Sequence, residues 1–345
     1  MFSLFSSDKK TSFVAVGDIV IDAFIRLQTA TVVPHPATGT AEICMPFGDK
    51  VPFEFAEELP AVGNSANAAV SAARLGLNSA LMTNVGTDQH GEECIAQLKK
   101  EHVGTDYVMS HNGLKTNYHY VLWYGQERTI LIKHENFPLV IPPIGDPDYL
   151  YLSSLGENSL QFHSVLADYL DAHPKINLIF QPGTFQMKFG TDALSRIYKR
   201  SKLFFCNLEE AERILGIQNR DIKVLLNGIR ALGPQMPVIT DGPKGAYTFI
   251  SSTDGDLAND KVVFMPAYPD PKPPYERTGA GDAFSSTFAI AIALGESVET
   301  ALKWGSANAT SVCEYIGAQK GLLHREELEK FVAKAPIEWK MQILS

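Results

Sequence analysis

What the sequence lacks narrows its reading first. It holds four cysteines in 345 residues, Cys44, Cys94, Cys206 and Cys313, and no CxxC pair. Single thiols this far apart argue against a disulfide frame or a zinc site, and point to reduced cysteines in a cytoplasmic setting. No apolar run approaches the ~20 residues that span a bilayer. The opening "MFSLFSSDKKTS" has no basic n-region and no long h-region, so it reads as a ragged terminus rather than a signal peptide. Positive charge is short: 30 Lys and Arg stand against 39 Asp and Glu, for a formal net charge of −9. That balance argues against nucleic acid or a membrane surface as a partner. The motifs GxSxG, HExxH and GxxxxGK[ST] are missing. No GxGxxG follows the first strand, which counts against a nicotinamide-dependent oxidoreductase. His119, His134 and His163 have no partner at metal spacing and read as surface or core histidines. There is no internal repeat, heptad run or low-complexity tract.

What is present is a globular composition, 45% hydrophobic and 20% charged, with length enough for one large α/β domain or two medium ones. Short buried strands are expected at Ser12 to Asp22 (SFVAVGDIVID), Ser79 to Gly86, Asn177 to Phe180, Lys202 to Asn207 and Pro237 to Gly242. Helical stretches alternate with them, among them Gly63 to Gly76, Gly91 to Val103, Leu208 to Gly216 and Ile222 to Gly233. Such alternation predicts a largely parallel sheet covered on both faces, with ligands at the carboxyl ends of its strands. Gly17-Asp18, Asn207 and Asp241-Gly242 fall at such ends. Two regions break the rhythm, Arg26 to Leu59 and Thr116 to Glu135, and predict a small separate sheet that serves as a lid or a dimer surface. The proline-rich "YPDPKPPYE" (Tyr268 to Glu276) reads as a stiff loop.

The stretch "ERTGAGDAFSSTFAIAIALG" (Glu276 to Gly295) carries the strongest chemical signal. Gly279, Ala280 and Gly281 leave the backbone bare just before a buried helix, a place where N–H groups point at an anion. Asp282 stands in the same turn, either as a capping acid or as an acid within a phosphoryl-transfer site. In "CNLEEAE", Asn207 and Glu210 suit a helix cap, and equally a water-mediated magnesium site. "TDGPKGAY" sets Gly242 and Gly245 around Lys244, as a plain turn or as a close approach to nucleotide phosphates. "VGNSAN" offers Gly63, Asn64 and Asn67 at a helix start, with amides that either cap the helix or grip hydroxyls. Asp22, at the exit of the first strand, could grip the same hydroxyls or lie solvated in a loop.

Five segments, "AVGNSANAAVSAARLG", "NVGTDQHGEECIAQLKKEHVGTDYV", "NLEEAERILG", "VITDGPKGAY" and "RTGAGDAFSSTFAIAIALG", resemble the ribokinase-like (PfkB) family of carbohydrate and nucleoside kinases, in the family's order and over residues 13 to about 325. The resemblance implies a three-layer α/β/α sandwich in residues 1–345, with a mostly parallel central sheet. It also implies a β-sheet lid from about 23–60 and 114–136, and a cytoplasmic homodimer joined through that lid. Asp282 matches the family's catalytic base, and Gly279, Ala280 and Gly281 its anion hole. Asn207 and Glu210 match the element that organises Mg²⁺ and phosphates. Thr240, Gly242 and Gly245 match the ATP-binding turn, with Lys244 within it, and Asn308 falls on the purine-contacting helix. Asp22, Gly63, Asn64 and Asn67 match contacts to substrate hydroxyls. Many members also bind K⁺, which implies Thr278 and Gly317 as its site. Here Glu276-Arg277-Thr278 replaces the common Asp-Thr-Thr. No Lys/Arg cluster marks a phosphorylated sugar, although Arg128 and Lys133 could reach a phosphate. The expected function is ATP-dependent phosphorylation of a hydroxymethyl group on a sugar or nucleoside. The alternatives are an adenosine-like nucleoside kinase rather than a sugar kinase, with Tyr118, Tyr120, Trp123 and Tyr124 available either to stack on a base or to fill a lid or dimer interface, and a non-catalytic binder of the same fold.

Overall fold

A computed structural model describes residues 10–125, 127–250, 260–270 and 272–344. Most of the terminus read as ragged, residues 1–9, and Pro271 of the proline-rich loop lie outside the described residues. The chain opens with β1 (Ser12–Val16), β2 (Val20–Leu27), β3 (Thr31–Pro34), β4 (Ala41–Cys44) and β5 (Phe53–Val62). It continues through α1 (Asn64–Arg74), β6 (Asn78–Gly86), α2 (Gln89–Lys100), β7 (Val108–His111), β8 (Asn117–Tyr124), β9 (Glu127–Lys133) and β10 (Tyr149–Leu152). Then follow α3 (Leu160–Ala172), β11 (Asn177–Phe180), α4 (Thr184–Ala193), α5 (Ser195–Arg200), β12 (Ser201–Asn207), α6 (Leu208–Leu215), α7 (Ile222–Ala231) and β13 (Met236–Thr240). The last part holds β14 (Gly245–Ile250), β15 (Lys261–Pro266), α8 (Ala280–Ala293), α9 (Val298–Val312), α10 (Arg325–Ala333) and β16 (Gln342–Ile343).

Ten strands form the large sheet in the order β16-β15-β14-β13-β12-β11-β10-β1-β6-β7. From β13 to β7 every pairing is parallel, and β14, β15 and β16 add an antiparallel edge. The central parallel strands β1, β10 and β11 are short and mostly apolar, as strands covered on both faces are. Alternate side chains divide between two cores. Phe13, Ala15, Tyr151, Ile179, Leu203 and Phe205 pack with α1, α8 and α9. Val14, Val16, Leu152, Phe180 and Phe204 pack with α3, α5 and α7 on the other side. The result is the three-layer α/β/α sandwich. From central β1 the chain first builds outward through β6 and β7. It then returns to β10 and builds the other way, so the switch in strand order falls between β1 and β10. Ligand crevices open at such a switch, beyond the strands' carboxyl ends.

A second sheet, β5-β2-β8-β9, stands on that side. Its β2–β8 pairing is parallel and its other two are antiparallel. A separate hairpin pairs β3 with β4.

One expected strand is two. The run Ser12 to Asp22 breaks after Val16, because β1 ends at Gly17-Asp18 and β2 departs into the small sheet. A Cβ on Gly17 would lie 2.1 Å from Ser65 Oγ and 2.8 Å from the Ser154 carbonyl, so only a bare backbone passes there. Asp22 therefore rides on the small sheet instead of closing the first core strand. All four cysteines are unpaired, and burial raises the thiol pKa of Cys94 to about 12.

Candidate active site

A cavity of about 370 Å³ lies between the two sheets. Asp282 forms its floor. The acid stands in the first turn of α8, whose N-cap Gly279 has φ 81°. A Cβ at Gly279 would press to 2.2 Å from Ala318 Cβ, so conformation and space both require glycine there. The opening turn of a helix leaves N–H groups without intrahelical partners, and Gly279 and Gly281 line the cavity beside them.

Asp282 is held from two sides. Asn67 Nδ2 donates to its Oδ2 at 2.9 Å and Gln181 Nε2 to its Oδ1 at 3.1 Å. Each donor is itself fixed. Asn67 Oδ1 accepts from Gln319 Nε2 at 3.0 Å, and Gln181 Oε1 accepts from the buried Tyr151 hydroxyl. Burial pushes the Asp282 carboxyl above its ordinary value. The two amide donors and the nearby Arg128 guanidinium pull it down, and Asp22 pushes it up.

Asn207 ends β12 and caps α6. Its Oδ1 accepts from Glu210 N at 2.8 Å, and Glu210 Oε2 accepts from Asn207 N at 2.9 Å. The same two residues line the cavity, so the capping box presents a carboxylate to it. Burial raises the Glu210 pKa, opposed by its bond to Asn207 N and by Arg213. Asp22, Gly63, Asn64 and Asn67 line the opposite wall. Gly63 is the N-cap of α1, so Asn64 is its first helical residue and its side chain does not cap the helix.

A second cavity of about 550 Å³ adjoins the first, and Thr240, Arg277 and Gly281 line both. Gly242, Gly245 and Ala280 face it, as do Tyr268 and Phe284. Lys244 turns aside to Asp241 Oδ2 at 3.0 Å.

The expectation for Asn308 is corrected. It is fully buried, with Nδ2 donating to Thr287 Oγ1 at 2.7 Å and Oδ1 accepting from Leu323 N at 2.9 Å. Its helical neighbours Ser306, Ala309 and Thr310 line the second cavity in its place. Thr278 gives both its N–H and its hydroxyl to Glu276 Oε1, and Gly317 packs against Leu59. Lys133 pairs with Glu135 at 2.8 Å.

Several cavity residues were not among the expected site. Gln181 directly follows β11, and the rule for strand carboxyl ends would have found it. Arg128 reaches in from β9, with Nη1 3.5 Å from Glu276 Oε1. Arg277 lies where the two cavities meet. His119 and His134 are neither bystanders nor core fillers: His119 lines the cavity and His134 stands behind it, 2.9 Å away. His163 is a core histidine, bonded to the Ser159 carbonyl.

An acid clamped at a bare helix start, in a polar cavity that adjoins a more apolar one, suits phosphoryl transfer to a small molecule. Residues 54–325 match the family model described as pfkB family carbohydrate kinase. The chain belongs to the pfkB family of carbohydrate kinases. It is 29% identical to ribokinase of Bacillus subtilis over 285 residues, which cover 79% of this chain and 87% of that one. Among solved structures, Arabidopsis thaliana ribokinase complexed with ribose and ATP aligns with a TM-score of 0.73 at 20% identity, covering 94% of this chain and 99% of that one. Methanocaldococcus jannaschii nucleoside kinase aligns with a TM-score of 0.71 at 20% identity, again over 94% and 99%. Among the described residues no helix is long and apolar enough to cross a membrane.

Proposed function

We propose that the protein transfers the γ-phosphoryl group of ATP to a hydroxymethyl group of a sugar, with Asp282 as general base. The observation that carries this is the place of Asp282, in the first cavity directly after Gly281, which lines both cavities, and with both carboxylate oxygens held by amide donors. An acceptor hydroxyl in the first cavity loses its proton to Asp282 as it attacks in line. The Gly279–Gly281 amides and the α8 dipole hold charge on the transferred group. Thr240, Gly242 and Gly245 bound the ATP cavity. Asp22, Gly63 and Asn64 offer acceptors and donors to sugar hydroxyls, while Asn67 aims the base. The small sheet acts as the lid that excludes water.

Glu210 fits a magnesium ion held through water, because its carboxylate faces the cavity from the α6 cap and Mg²⁺ keeps most of its hydration. When bound, the ion neutralises phosphate charge. For K⁺, Glu276 Oε2 is a fitting oxygen ligand beside Thr278, because it is buried without a hydrogen-bond partner.

The small-sheet aromatics favour a sugar over a nucleoside acceptor. Trp123 is buried against Phe55 and Tyr275, and the Tyr118 hydroxyl donates to Glu58. Neither ring lines the acceptor cavity. Strand β9 is exposed along almost its whole length, with Leu131 and Ile132 more than half exposed. That apolar edge supports a homodimer through the small sheet.

The test is ATP consumption with Mg²⁺, with and without K⁺, across ribose, fructose, 2-keto-3-deoxygluconate, adenosine, guanosine and cytidine. Turnover on a sugar supports the reading. Turnover on a nucleoside alone reverses the acceptor assignment, and ATP binding without turnover on any acceptor favours a binder.

A further inference from the structure

The loop after α9 reaches the floor of the first cavity from behind. Ala318 lines that cavity, and the next residue, Gln319, is buried beside it. Gln319 Nε2 donates twice, to the Ala61 carbonyl at 2.7 Å and to Asn67 Oδ1 at 3.0 Å. Asn67 Nδ2 in turn donates to Asp282 Oδ2 at 2.9 Å. This relay joins the end of β5, the first turn of α1 and the first turn of α8.

Its direction is set at Ala61. A side-chain amide offers donors at one end and an acceptor at the other, and a half-turn exchanges them. A backbone carbonyl can only accept. Gln319 must therefore aim its NH2 at Ala61, and the second N–H meets Asn67, which answers with Oδ1. That leaves Nδ2 for Asp282. A half-turn of Asn67 would set NH2 against NH2, and a carbonyl against the carboxylate. Backbone geometry supplies the Ala61 acceptor. Two steps along β2, from Val20 to Asp22, match three along β5, from Leu59 to Val62, a bulge that leaves Ala61 without a cross-strand partner. Ala61 sits at φ 61°, a left-handed conformation that few residues other than glycine hold. Arg74 secures the loop from the other side. Its Nη1 donates to the Gln319 and Leu322 carbonyls, and its Nε and Nη2 each donate to Glu101 at 2.8 Å.

We propose that Gln319 is a positioning residue that obliges Asn67 to serve Asp282 as a donor and never as an acceptor. Both carboxylate oxygens of Asp282 face amide donors, so a proton on the acid finds no acceptor there unless an amide turns. Gln319 blocks that turn at Asn67. The acid is thereby held in the ionised form that can take a proton from a substrate hydroxyl. Without the Gln319 amide, Asn67 can turn and accept from the protonated acid, and the balance moves toward the form that cannot act as a base.

The proposal rests on the kinase reading for the use made of Asp282, so its first test needs no turnover. Carbon-13 NMR follows the Asp282 carboxyl in the unliganded protein, its signal identified by its loss in Asp282→Asn. Gln319→Met keeps the length of the side chain and removes its donors, and should raise the Asp282 pKa by about one unit. Gln319→Leu should do the same, so the result does not hang on one variant folding. The other titratable groups facing Asp282 are Asp22, His119 and Arg128 from the small sheet, Glu210 from α6, Arg277 from the loop before α8 and Tyr151 from β10. All six are kept in these variants. In an Asn67→Ala background, Gln319→Met should add little further shift. A wild-type pKa in the folded single variants, or an equal shift in the Asn67→Ala background, overturns the proposal even if the enzyme phosphorylates sugars. A shifted carboxyl in a protein with no turnover supports the relay and removes the kinase reading. The second test is kcat/KM against pH. Its acidic limb should move up by the same unit in Gln319→Met, with ATP KM within about twofold, and a limb that stays in place overturns the catalytic use of the relay.

Discussion

Asn67 on α1 donates to Asp282 on α8 across 2.9 Å, joining two helices at positions 215 residues apart in the chain. The donor stabilises the ionised carboxylate against the burial that raises its pKa. Asn67→Ala removes it while Gln181 stays. A hydrogen bond to a charged group is worth about 1.5–3 kcal/mol, so the acidic limb of the kcat/KM profile should move up by about one to two pH units. The pH–rate profile checks this, and an unmoved limb in a folded variant removes Asn67 from the role.

Asp282→Asn should separate activity from stability. An acid whose folded pKa is raised binds its proton more tightly when folded. Stability therefore falls as pH rises from its ordinary 3.8 through the folded value, and stays lower above it. The asparagine variant escapes that loss. It also sets an NH2 against one of the two fixed amide donors, so its Tm relative to wild type should be most favourable near pH 7 and fall off toward low pH, while turnover falls by about 10²–10⁴. Near-wild-type turnover would rule out Asp282 as the base.

The two glycines of the anion loop should respond differently to alanine. At Gly279, φ of 81° and the Ala318 contact combine strain with a clash, for about 2–4 kcal/mol of lost stability. At Gly281 a Cβ meets nothing within 4 Å, so the fold should tolerate it. The methyl would instead enter the space between the two cavities and lower kcat. Thermal melts and kinetics on both variants check the contrast, and equal melting losses would contradict it.

Arg128 and Glu276 tie the small sheet to the glycine loop. Arg128→Gln removes the cation beside a buried carboxylate and beside Asp282. The expected result is a lower Tm and an acidic limb shifted to higher pH. In a double-mutant cycle, Glu276→Gln should recover about 1 kcal/mol of the loss. Strict additivity of the two changes would show that the pair does not interact.

The core was legible where the pattern was dense. "NLIF", "KLFFCN" and "PVIT" are apolar runs too short for helices, and each is a parallel strand. The glycine loop, the Asn207–Glu210 cap and the α1 start were legible because each combines a special backbone with a chemical group. What stayed hidden depends on distance in sequence. Nothing local in "FQPGTFQ" says that Gln181 reaches a residue 101 positions on. Nothing local pairs His119 with Asp22, because the parallel β2–β8 register brings them together. Asn308 failed for the opposite reason: its helix was placed rightly, but a helix has two sides, and the buried side took the amide. The break at Gly17 was missed because "SFVAVGDIVID" reads as continuously apolar, and only the packing of Ser65 and Ser154 turns the chain there.

The small sheet is assembled from two stretches spliced into the core, one between β1 and α1 and one between β7 and β10. Asp282, the Gly279–Gly281 loop and the second cavity belong to neither. The wall of the first cavity is thus written in two kinds of text: Asp22, His119 and Arg128 sit on the inserted stretches and can vary with them, whereas Gly63, Asn64 and Asp282 are tied to the core helices.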